Sequence, residues 1–301
     1  MFIQAFVAVI LRYLVCLFVG SLPCFLAHSA HAKAQLAIII DDIGYNAALG
    51  RRAAELDGPF TLAVLPLTPH THQLADYGYQ RGKEIMLHLP MSNIKAMPLG
   101  KGGLESGMSH AQFLTRLRAS LEDIPHLLGV NNHMGSRLTQ ESEAMDWLMR
   151  ELAQRQLYFI DSRTTANTRA LSTARSYQIP SDRRDVFLDN TRTSSSIQAQ
   201  LLKAIALAQK RGHAIAIGHP YPETLAVLEQ AGSLLDHYDV ELVPVSQLLL
   251  SAKPSLISAR PAPAAPKICY APPMSLWIRP SSPPELINSD SLLQGIWHFS
   301  Y

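Results

Sequence analysis

Two adjacent carboxylates, Asp41 and Asp42, directly follow the apolar run Leu36–Ile40. A short apolar run without alternation predicts a strand that is buried on both faces, and such a strand carries charged residues only at its end. Parallel α/β folds place their chemistry at the carboxyl ends of the strands. One aspartate is therefore a candidate metal ligand and the other a candidate proton acceptor. In the alternative interpretation, one caps the next helix and the other is solvated.

Histidines, aspartates and other polar residues also lie at the ends of other apolar runs. His88 and Asp161 end two of these runs, and His219 follows a third. The other polar residues at predicted strand ends are Asn131, Asn132, His133, Ser136, Arg163 and Asp189. Each residue alone is compatible with a structural role, such as an Asx turn, a helix cap or an ion pair. Because the ends of parallel strands meet at one mouth of a barrel, the sequence predicts that these side chains converge on one site.

A site built from these residue types supports metal-assisted hydrolysis. Two histidines and one carboxylate form a three-ligand zinc set that leaves one position open for water. A second aspartate and a third histidine then remain as base and acid. Two of the three cysteines lie in the apolar N-terminal stretch, so neither a disulfide framework nor a thiolate metal site is expected.

The elements that position these residues alternate between short apolar runs and amphipathic segments. The helical segments, with apolar residues at three- and four-residue spacing, include Ala111–Leu121, Glu141–Gln154 and Ile197–Arg211. The predicted strands are Leu36–Ile40, Phe60–Leu65, Glu84–His88, Leu128–Asn132, Leu157–Asp161, Val186–Leu188, His213–Gly218 and Val240–Val243. This alternation predicts one α/β domain over residues 33–251, with a parallel sheet of seven or eight strands that forms a barrel. The irregular segment Ser92–Ser109 is expected to be a loop that faces the substrate.

The composition limits the classes of function. The chain has 301 residues, of which 48% are hydrophobic, enough for one sizeable core or two small ones. Its formal net charge is +2, and the sequence shows no basic run and no stretch that interleaves basic and aromatic residues. Nucleic acid is therefore not an expected partner.

The two ends of the chain differ from the domain. Residues 1–32 are mostly apolar and end in Ala30-His31-Ala32, which fits the cleavage pattern of a secretory signal peptide. An uncleaved N-terminal anchor is the alternative, and both interpretations export the domain to the periplasm or cell envelope. No stable membrane span is expected after signal cleavage. Residues 252–301 are rich in proline and show neither the apolar pattern of a strand nor that of a helix. This composition predicts a mostly disordered tail.

Five motifs, each at the end of a predicted strand, resemble those of the divergent polysaccharide deacetylases. They are Ile40-Asp41-Asp42, Glu84-Ile85-Met86-Leu87-His88, Asn131-Asn132-His133-Met134-Gly135-Ser136, Phe159-Ile160-Asp161-Ser162 and Ile217-Gly218-His219-Pro220. The resemblance covers roughly residues 35–250. It implies a distorted (β/α) barrel, a divalent metal that is usually zinc, and the removal of N-acetyl groups from chitin-like or peptidoglycan sugars.

The resemblance also implies roles for individual residues. Asp41 resembles the general base and Asp42 the metal-binding carboxylate, and His88 matches the first metal-binding histidine. His219 resembles the general acid, and Asp161 resembles the carboxylate that orients it.

The sequence departs from the usual family pattern in two places. Met91 and Ser92 stand where the second metal-binding histidine is usual, and we expect His133 from the next strand to replace it. The usual arginine that tunes the catalytic aspartate is also absent from its motif, and Arg163 or Arg137 is expected to substitute. The residues assigned to supporting or sugar-binding roles are Asp161, Arg163, Asn131, Asn132, Ser136 and Asp189.

Three functions remain open at this point. The first is a metal-dependent hydrolase of the cell envelope that removes N-acetyl groups from an amino-sugar glycan. The second is an envelope protein that kept the fold and the metal, lost turnover, and binds glycan or metal only. The third is a metal-dependent hydrolase that acts on another amide or ester, such as a peptide stem.

Overall fold

The computed structural model describes residues 33–251. The strands are β1 (Ala34–Ile43), β2 (Thr61–Val64), β3 (Glu84–Met91), β4 (Leu127–Met134), β5 (Tyr158–Asp161), β6 (Ser181–Arg183), β7 (Val186–Phe187), β8 (His213–Gly218) and β9 (Val240–Leu242). The helices are α1 (Ala47–Ala54), α2 (Thr71–Gln80), α3 (His110–Glu122), α4 (Ser142–Gln154), α5 (Ala170–Ser176), α6 (Ser194–Arg211), α7 (Pro222–Leu228), α8 (Ala231–His237) and α9 (Val245–Ser251). The predicted signal or anchor (1–32) and the predicted tail (252–301) lie outside the described residues.

All strands belong to one parallel sheet. Their order is β6-β5-β4-β3-β2-β1-β8-β7, and β9 pairs with the first residues of β1. The prediction of a parallel α/β fold curled into a distorted barrel is confirmed. All eight predicted strands are present, β8 with the predicted bounds and the others with shifted ends, and the sheet has nine strands rather than seven or eight. The sequence does not predict β6, because Ser181-Asp182-Arg183 contains no apolar run. Within residues 33–251, no helix has the length and apolar character needed to cross a membrane.

A connecting segment of the chain bridges the gap between the two edges of the curled sheet. β6 and β7 are its two edges, and no ladder joins them among the described strands. The backbone N–H of Arg184 donates to the carbonyl of Asp161 at the end of β5 (2.9 Å), and that of Asp185 donates to Ile215 on β8 (2.9 Å). The two-residue link between β6 and β7 therefore bridges the gap between the edges.

The packing of β1 explains why its sequence does not alternate. Ile38 and Ile40 pack in the core between the sheet and the helices, whereas Ala37 and Ile39 pack inside the barrel. Both faces of the strand are therefore buried, and apolar residues are required at successive positions. Charged side chains are accommodated only where the strand reaches the mouth.

The loop Ser92–Ser109 joins β3 to α3 and is irregular, as predicted. The N–H of Leu104 donates to the carbonyl of Pro90 on β3 (2.8 Å), which fixes the far half of the loop. The N–H of Ile94 donates to Ser136 Oγ just after β4 (3.1 Å). The loop therefore lies across the carboxyl ends of two central strands.

The opposite end of the barrel is closed by α9, which a buried carboxylate holds in place. Glu84 Oε1 accepts hydrogen bonds from the hydroxyls of Tyr158 (2.7 Å) and Thr61 (3.2 Å) and from the N–H of Ser246 (3.2 Å). Ser246 lies in the first turn of α9, so the carboxylate satisfies a helix N–H that has no partner within the helix. Glu84 is the first residue of β3, whereas His88 lies toward its carboxyl end, so Glu84 has a structural role.

Replacing Tyr158 with Phe removes the best-aligned donor from this buried carboxylate. We expect the free energy of unfolding, measured by chemical denaturation, to fall by about 1–3 kcal/mol. Tyr79→Phe is the control, because Tyr79 is exposed and stacks on His126 through its ring. A loss no larger than that of the control would contradict the structural role of Glu84.

Candidate active site

A bulge in β1 turns two consecutive aspartates toward the mouth of the barrel. The pairing of β1 with β2 slips between Ile40 and Ile43, so Asp41 and Asp42 together oppose a single residue of β2. In a regular strand, neighbouring side chains point to opposite faces, whereas a bulge redirects them. Asp42 also adopts the left-handed backbone conformation, with φ of 57°.

Both aspartates contact one buried histidine. His88 on β3 is 2% exposed. Its Nδ1 lies 3.6 Å from Asp41 Oδ1, and its Nε2 lies 3.2 Å from Asp42 Oδ1. Regular alternation would have placed one carboxylate on the far side of the sheet, so this arrangement depends on the bulge.

Asn131 on β4 fixes the orientation of the His88 ring. The Asn131 Nδ2 group donates to Asp41 Oδ1 (2.8 Å), and Asn131 Oδ1 lies 2.7 Å from His88 Nδ1 and accepts its proton. A neutral His88 therefore carries its proton on Nδ1 and presents the lone pair of Nε2 toward Asp42. The outer hydrogen bond of a metal-binding histidine fixes the tautomer in this way.

His133 completes a triangle of donor atoms. It lies on β4, where it pairs with Pro90 of β3. Its Nδ1 is 3.0 Å from His88 Nε2 and 2.9 Å from Asp42 Oδ1. The structure thus brings together the three residues that the sequence predicts as metal ligands, although they come from three different strands. Their assignment as ligands stays a prediction.

The geometry of this donor triangle fits a divalent metal ion. Asp42 Oδ1 is buried and has no aligned hydrogen-bond donor, although two ring nitrogens lie within 3.2 Å of it. Three donors at ~2.0–2.1 Å from a tetrahedral zinc lie about 3.3 Å apart, close to the observed separations. Across residues 33–251, this is the one group of three His, Cys, Asp or Glu side chains close enough to share an ion.

The charges at the donor triangle also favour a cation. Burial lowers the pKa of His88, but the negative charges of Asp41 and Asp42 raise it to about 9. Burial raises the pKa of Asp42, but the nearby rings of His133 and His88 hold it well below its usual range. A metal ion that binds here must therefore displace the proton of His88, and metal binding at such sites releases protons.

Asp41 differs from Asp42 in its surroundings. It is 4% exposed, and burial raises the pKa of its carboxyl, against the opposing effects of His88 and His219. Its Oδ1 accepts the hydrogen bond from Asn131, whereas its Oδ2 accepts none from the described part of the chain. Oδ2 is therefore the oxygen that can take a proton.

Asp189 orients His219, which faces the same site. Asp189 Oδ1 accepts from His219 Nδ1 (3.0 Å), and its Oδ2 accepts from the His219 backbone N–H (2.6 Å) and the Thr224 hydroxyl (2.9 Å). His219 Nε2 then lies 3.7 Å from Asp42 Oδ2. Burial lowers the pKa of His219, but the bond to Asp189 and the charge of the neighbouring carboxylates raise it above its ordinary value.

The expected role of Asp161 is therefore wrong. Its two oxygens accept hydrogen bonds from the Arg163 backbone N–H (2.8 Å) and the Thr168 hydroxyl (2.9 Å), which shape the loop after β5. The physical reason is strand order: Asp189 follows β7, which pairs with β8 next to His219, whereas β5 lies across the gap in the sheet.

Arg184, which the sequence does not predict as a site residue, lies close enough to Asp41 for the charge of that carboxylate to act on its guanidinium. Burial lowers the pKa of the Arg184 guanidinium, and the negative charge of Asp41 is the main opposing influence. Its Nε and Nη2 donate to the carbonyls of Ser162 (2.8 Å) and Arg163 (3.1 Å). The expectation for Arg137 is wrong, because its side chain is 63% exposed and lies beside a helix carboxylate. Arg184 lies in a two-residue link without periodicity, so no sequence pattern marked it.

Two further predicted residues tie together the loops around the mouth. Asn132 accepts from the N–H of Ser162 (2.9 Å) and donates to the carbonyl of Met134 (2.8 Å). Ser136 accepts from the N–H of Ile94 (3.1 Å). Both side chains thus hold backbone segments of adjacent loops.

Comparisons with known proteins place the barrel among relatives. Residues 38–249 match the model of the family described as divergent polysaccharide deacetylase. The uncharacterized protein YibQ of Escherichia coli (strain K12) is 37% identical over 215 residues, which are 71% of this chain and 67% of that protein. An uncharacterized protein of Haemophilus influenzae (strain ATCC 51907 / DSM 11121 / KW20 / Rd) is 36% identical over 222 residues, 74% of this chain and 79% of that protein. The crystal structure of an uncharacterized protein from Agrobacterium tumefaciens C58 matches with a TM-score of 0.70 at 25% identity, over 73% of this chain and 91% of that one.

Replacing Asn131 with Ala removes the partner that fixes the His88 ring. We expect zinc affinity, measured by competition with a chromogenic chelator, to fall roughly 10- to 100-fold. Asn167→Ala is the matched control, because Asn167 is exposed in the loop after β5. Equal zinc affinity in the two variants would contradict the role assigned to Asn131.

Proposed function

The chain belongs to the divergent polysaccharide deacetylase family, and we propose that it is a metal-dependent hydrolase that removes N-acetyl groups from an amino-sugar glycan. One observation carries this proposal: beside the donor triangle of Asp42, His88 and His133, Asp41 lies 3.6 Å from His88, and His219 lies 3.7 Å from Asp42. Two histidines and one carboxylate with an open position form the ligand set of hydrolytic zinc enzymes.

The donor triangle would hold the metal through Asp42 Oδ1, His88 Nε2 and His133 Nδ1. Imidazole nitrogens and a carboxylate suit Zn²⁺ among the common divalent ions. When bound, such an ion supplies Lewis-acid polarisation of the acetamide carbonyl and of the attacking water.

Asp41 is the general base in this proposal. Its Oδ2 takes a proton from the water as the water oxygen adds to the acetamide carbon. Asn131 holds the other oxygen, so the free oxygen keeps its direction. The raised pKa of Asp41 makes its carboxylate a stronger base than an exposed aspartate.

His219 is the general acid. The carbon–nitrogen bond breaks only when the departing amine receives a proton, and His219 Nε2 supplies it. The hydrogen bond from Nδ1 to Asp189 keeps the ring in place and stabilises its protonated form. The products are acetate and the free amino sugar.

We place this activity in the periplasm or cell envelope. The support is the apolar N-terminal segment with its Ala30-His31-Ala32 ending. An exported enzyme of this kind would meet an N-acetylated envelope glycan as its substrate.

A second candidate function is glycan binding without turnover, and one observation favours it. Met91, where the family usually has a metal-binding histidine, is fully buried in the core. The second histidine of the donor triangle is His133 on β4 instead. One of the three candidate ligands therefore comes from a different strand than in the usual family pattern.

Acetate release from a zinc-loaded sample with N-acetylglucosamine tetrasaccharide tests the two functions. We expect turnover in the wild type, and a loss of roughly 10²- to 10⁴-fold in kcat for Asp41→Asn and for His219→Gln. His72→Gln is the matched control for the histidine variant, because His72 is an exposed residue of α2. Unfolding midpoints show whether each variant is folded.

Two outcomes would contradict the hydrolase. One is a zinc-loaded wild type that binds the tetrasaccharide without releasing acetate, which would support the binding function instead. The other is a folded Asp41→Asn or His219→Gln variant that releases acetate as fast as the His72→Gln control.

A further inference from the structure

The arginines of the barrel fall into two groups. Most arginines away from the mouth form ion pairs with carboxylates, namely Arg52, Arg116, Arg118, Arg150, Arg155, Arg175 and Arg211. Seven others form no ion pair with any carboxylate within residues 33–251: Arg51 lies on α1, Arg81 follows α2, and the remaining five lie between the end of β5 and the start of α6. These five, which we call the arginine rim, are Arg163, Arg169, Arg183, Arg184 and Arg192.

The arginine rim follows the carboxyl ends of consecutive strands on one side of the mouth. Arg163 comes two residues after β5, Arg183 ends β6, and Arg184 follows it. Arg169 directly precedes α5, and its N–H donates to Thr139, which lies beyond the end of β4 (2.8 Å). The backbone positions of the rim therefore lie on the side of the mouth where the sheet closes.

Arg192 connects the rim to the general acid. Its guanidinium lies 3.7 Å from the centre of the Tyr221 ring and donates to the Tyr221 hydroxyl (2.8 Å). The Tyr221 ring is 5.4 Å from the ring of His219. A group bound at Arg192 would thus lie one aromatic ring away from the reacting atoms.

The carboxylates near this rim have other hydrogen-bond or ion-pair partners. Asp161 and Asp189 accept the hydrogen bonds described above from a backbone N–H, hydroxyls and His219. Asp182 faces His213 (3.3 Å), and Asp185 pairs with Arg211 (2.8 Å). No ion pair therefore joins a rim arginine to a carboxylate within the described chain, and the charges that act on Arg184 are those of Asp41 and, more weakly, of Asp161 and Asp185.

We propose that the arginine rim binds an anionic substituent of the glycan, a carboxylate or a phosphate, so that the substrate is an acidic N-acetylated glycan. Guanidinium groups pair with both anions through two parallel hydrogen bonds. Arg184 is fixed by two backbone carbonyls, whereas Arg192 lies beside Tyr221 and Arg163 lies two residues after the end of β5, so we assign the contact with the substituent to Arg163 and Arg192. This inference rests on the proposed function, since it names the substrate class of the same site.

The test compares substrates that differ only in charge. The probes are a tetrasaccharide that alternates N-acetylglucosamine with glucuronate and its neutral methyl ester, and chitotetraose with and without a 6-phosphate. Binding to the zinc-loaded full-length protein is measured by calorimetry at low and high salt. We expect at least one anionic probe to bind about three- to tenfold more tightly than its neutral partner at low salt, and high salt to remove the preference.

Substitutions of rim arginines test whether the rim causes the preference for anionic probes. Arg163→Gln and Arg192→Gln should each reduce it, whereas Arg81→Gln should not. The control variant removes the same charge after α2, where Arg81 donates to Tyr77. Unfolding midpoints and zinc content confirm that each variant is intact.

Equal affinity for charged and neutral probes would overturn the inference, as would a preference that persists in both rim variants. Acetate release from neutral chitotetraose is measured on the same samples. Acetate release without a charge preference leaves the proposed function standing and removes the inference. A charge preference that depends on the rim, without acetate release from any probe, leaves the rim assignment standing and removes the hydrolase.

Discussion

The site depends on the bulge that directs Asp41 and Asp42 toward the same histidine. His88 is buried between these carboxylates, and each of its ring nitrogens has a different carboxylate neighbour. Asp41 is buried and Asp42 Oδ1 is shielded from solvent, so two uncompensated negative charges here would be costly and a positive charge is needed beside them. A proton on His88 meets this need in the absence of metal, and the donor triangle offers the same position to a divalent cation. Asn131 contacts both Asp41 and His88, so it holds these two residues both when His88 is protonated and when a metal is bound.

The closure of the barrel and the chemistry of the mouth share residues. The link between β6 and β7 bridges the two edges of the sheet, and the negative charge of Asp41 acts on the guanidinium of its first residue, Arg184. The same guanidinium holds the loop after β5, where Arg163 adopts a left-handed backbone conformation. Because this loop and link lie at the edges, where few ladder hydrogen bonds fix the strands, side-chain hydrogen bonds determine the shape of this side of the mouth.

The sequence alone predicts the features that depend on the local pattern of residues. Buried strands read as apolar runs, and polar residues at their ends identify the mouth, so Asp41, Asp42, His88, His133 and His219 are found without coordinates. Which carboxylate meets His219 depends on strand order instead. Asp161 and Asp189 both follow an apolar run, and only the pairing of β7 with β8 selects Asp189. Likewise the bulge and Arg184 leave no periodic signal, because each involves one or two residues whose role depends on distant partners.

The central claim is that Asp42, His88 and His133 hold one metal ion. Anomalous diffraction from crystals of the zinc-loaded protein, recorded on both sides of the zinc absorption edge, tests it most directly. We expect one strong zinc peak within bonding distance of Asp42 Oδ1, His88 Nε2 and His133 Nδ1. A zinc peak elsewhere would contradict this claim. So would crystals prepared in excess zinc that show no peak and in which these three side chains are still hydrogen-bonded to one another.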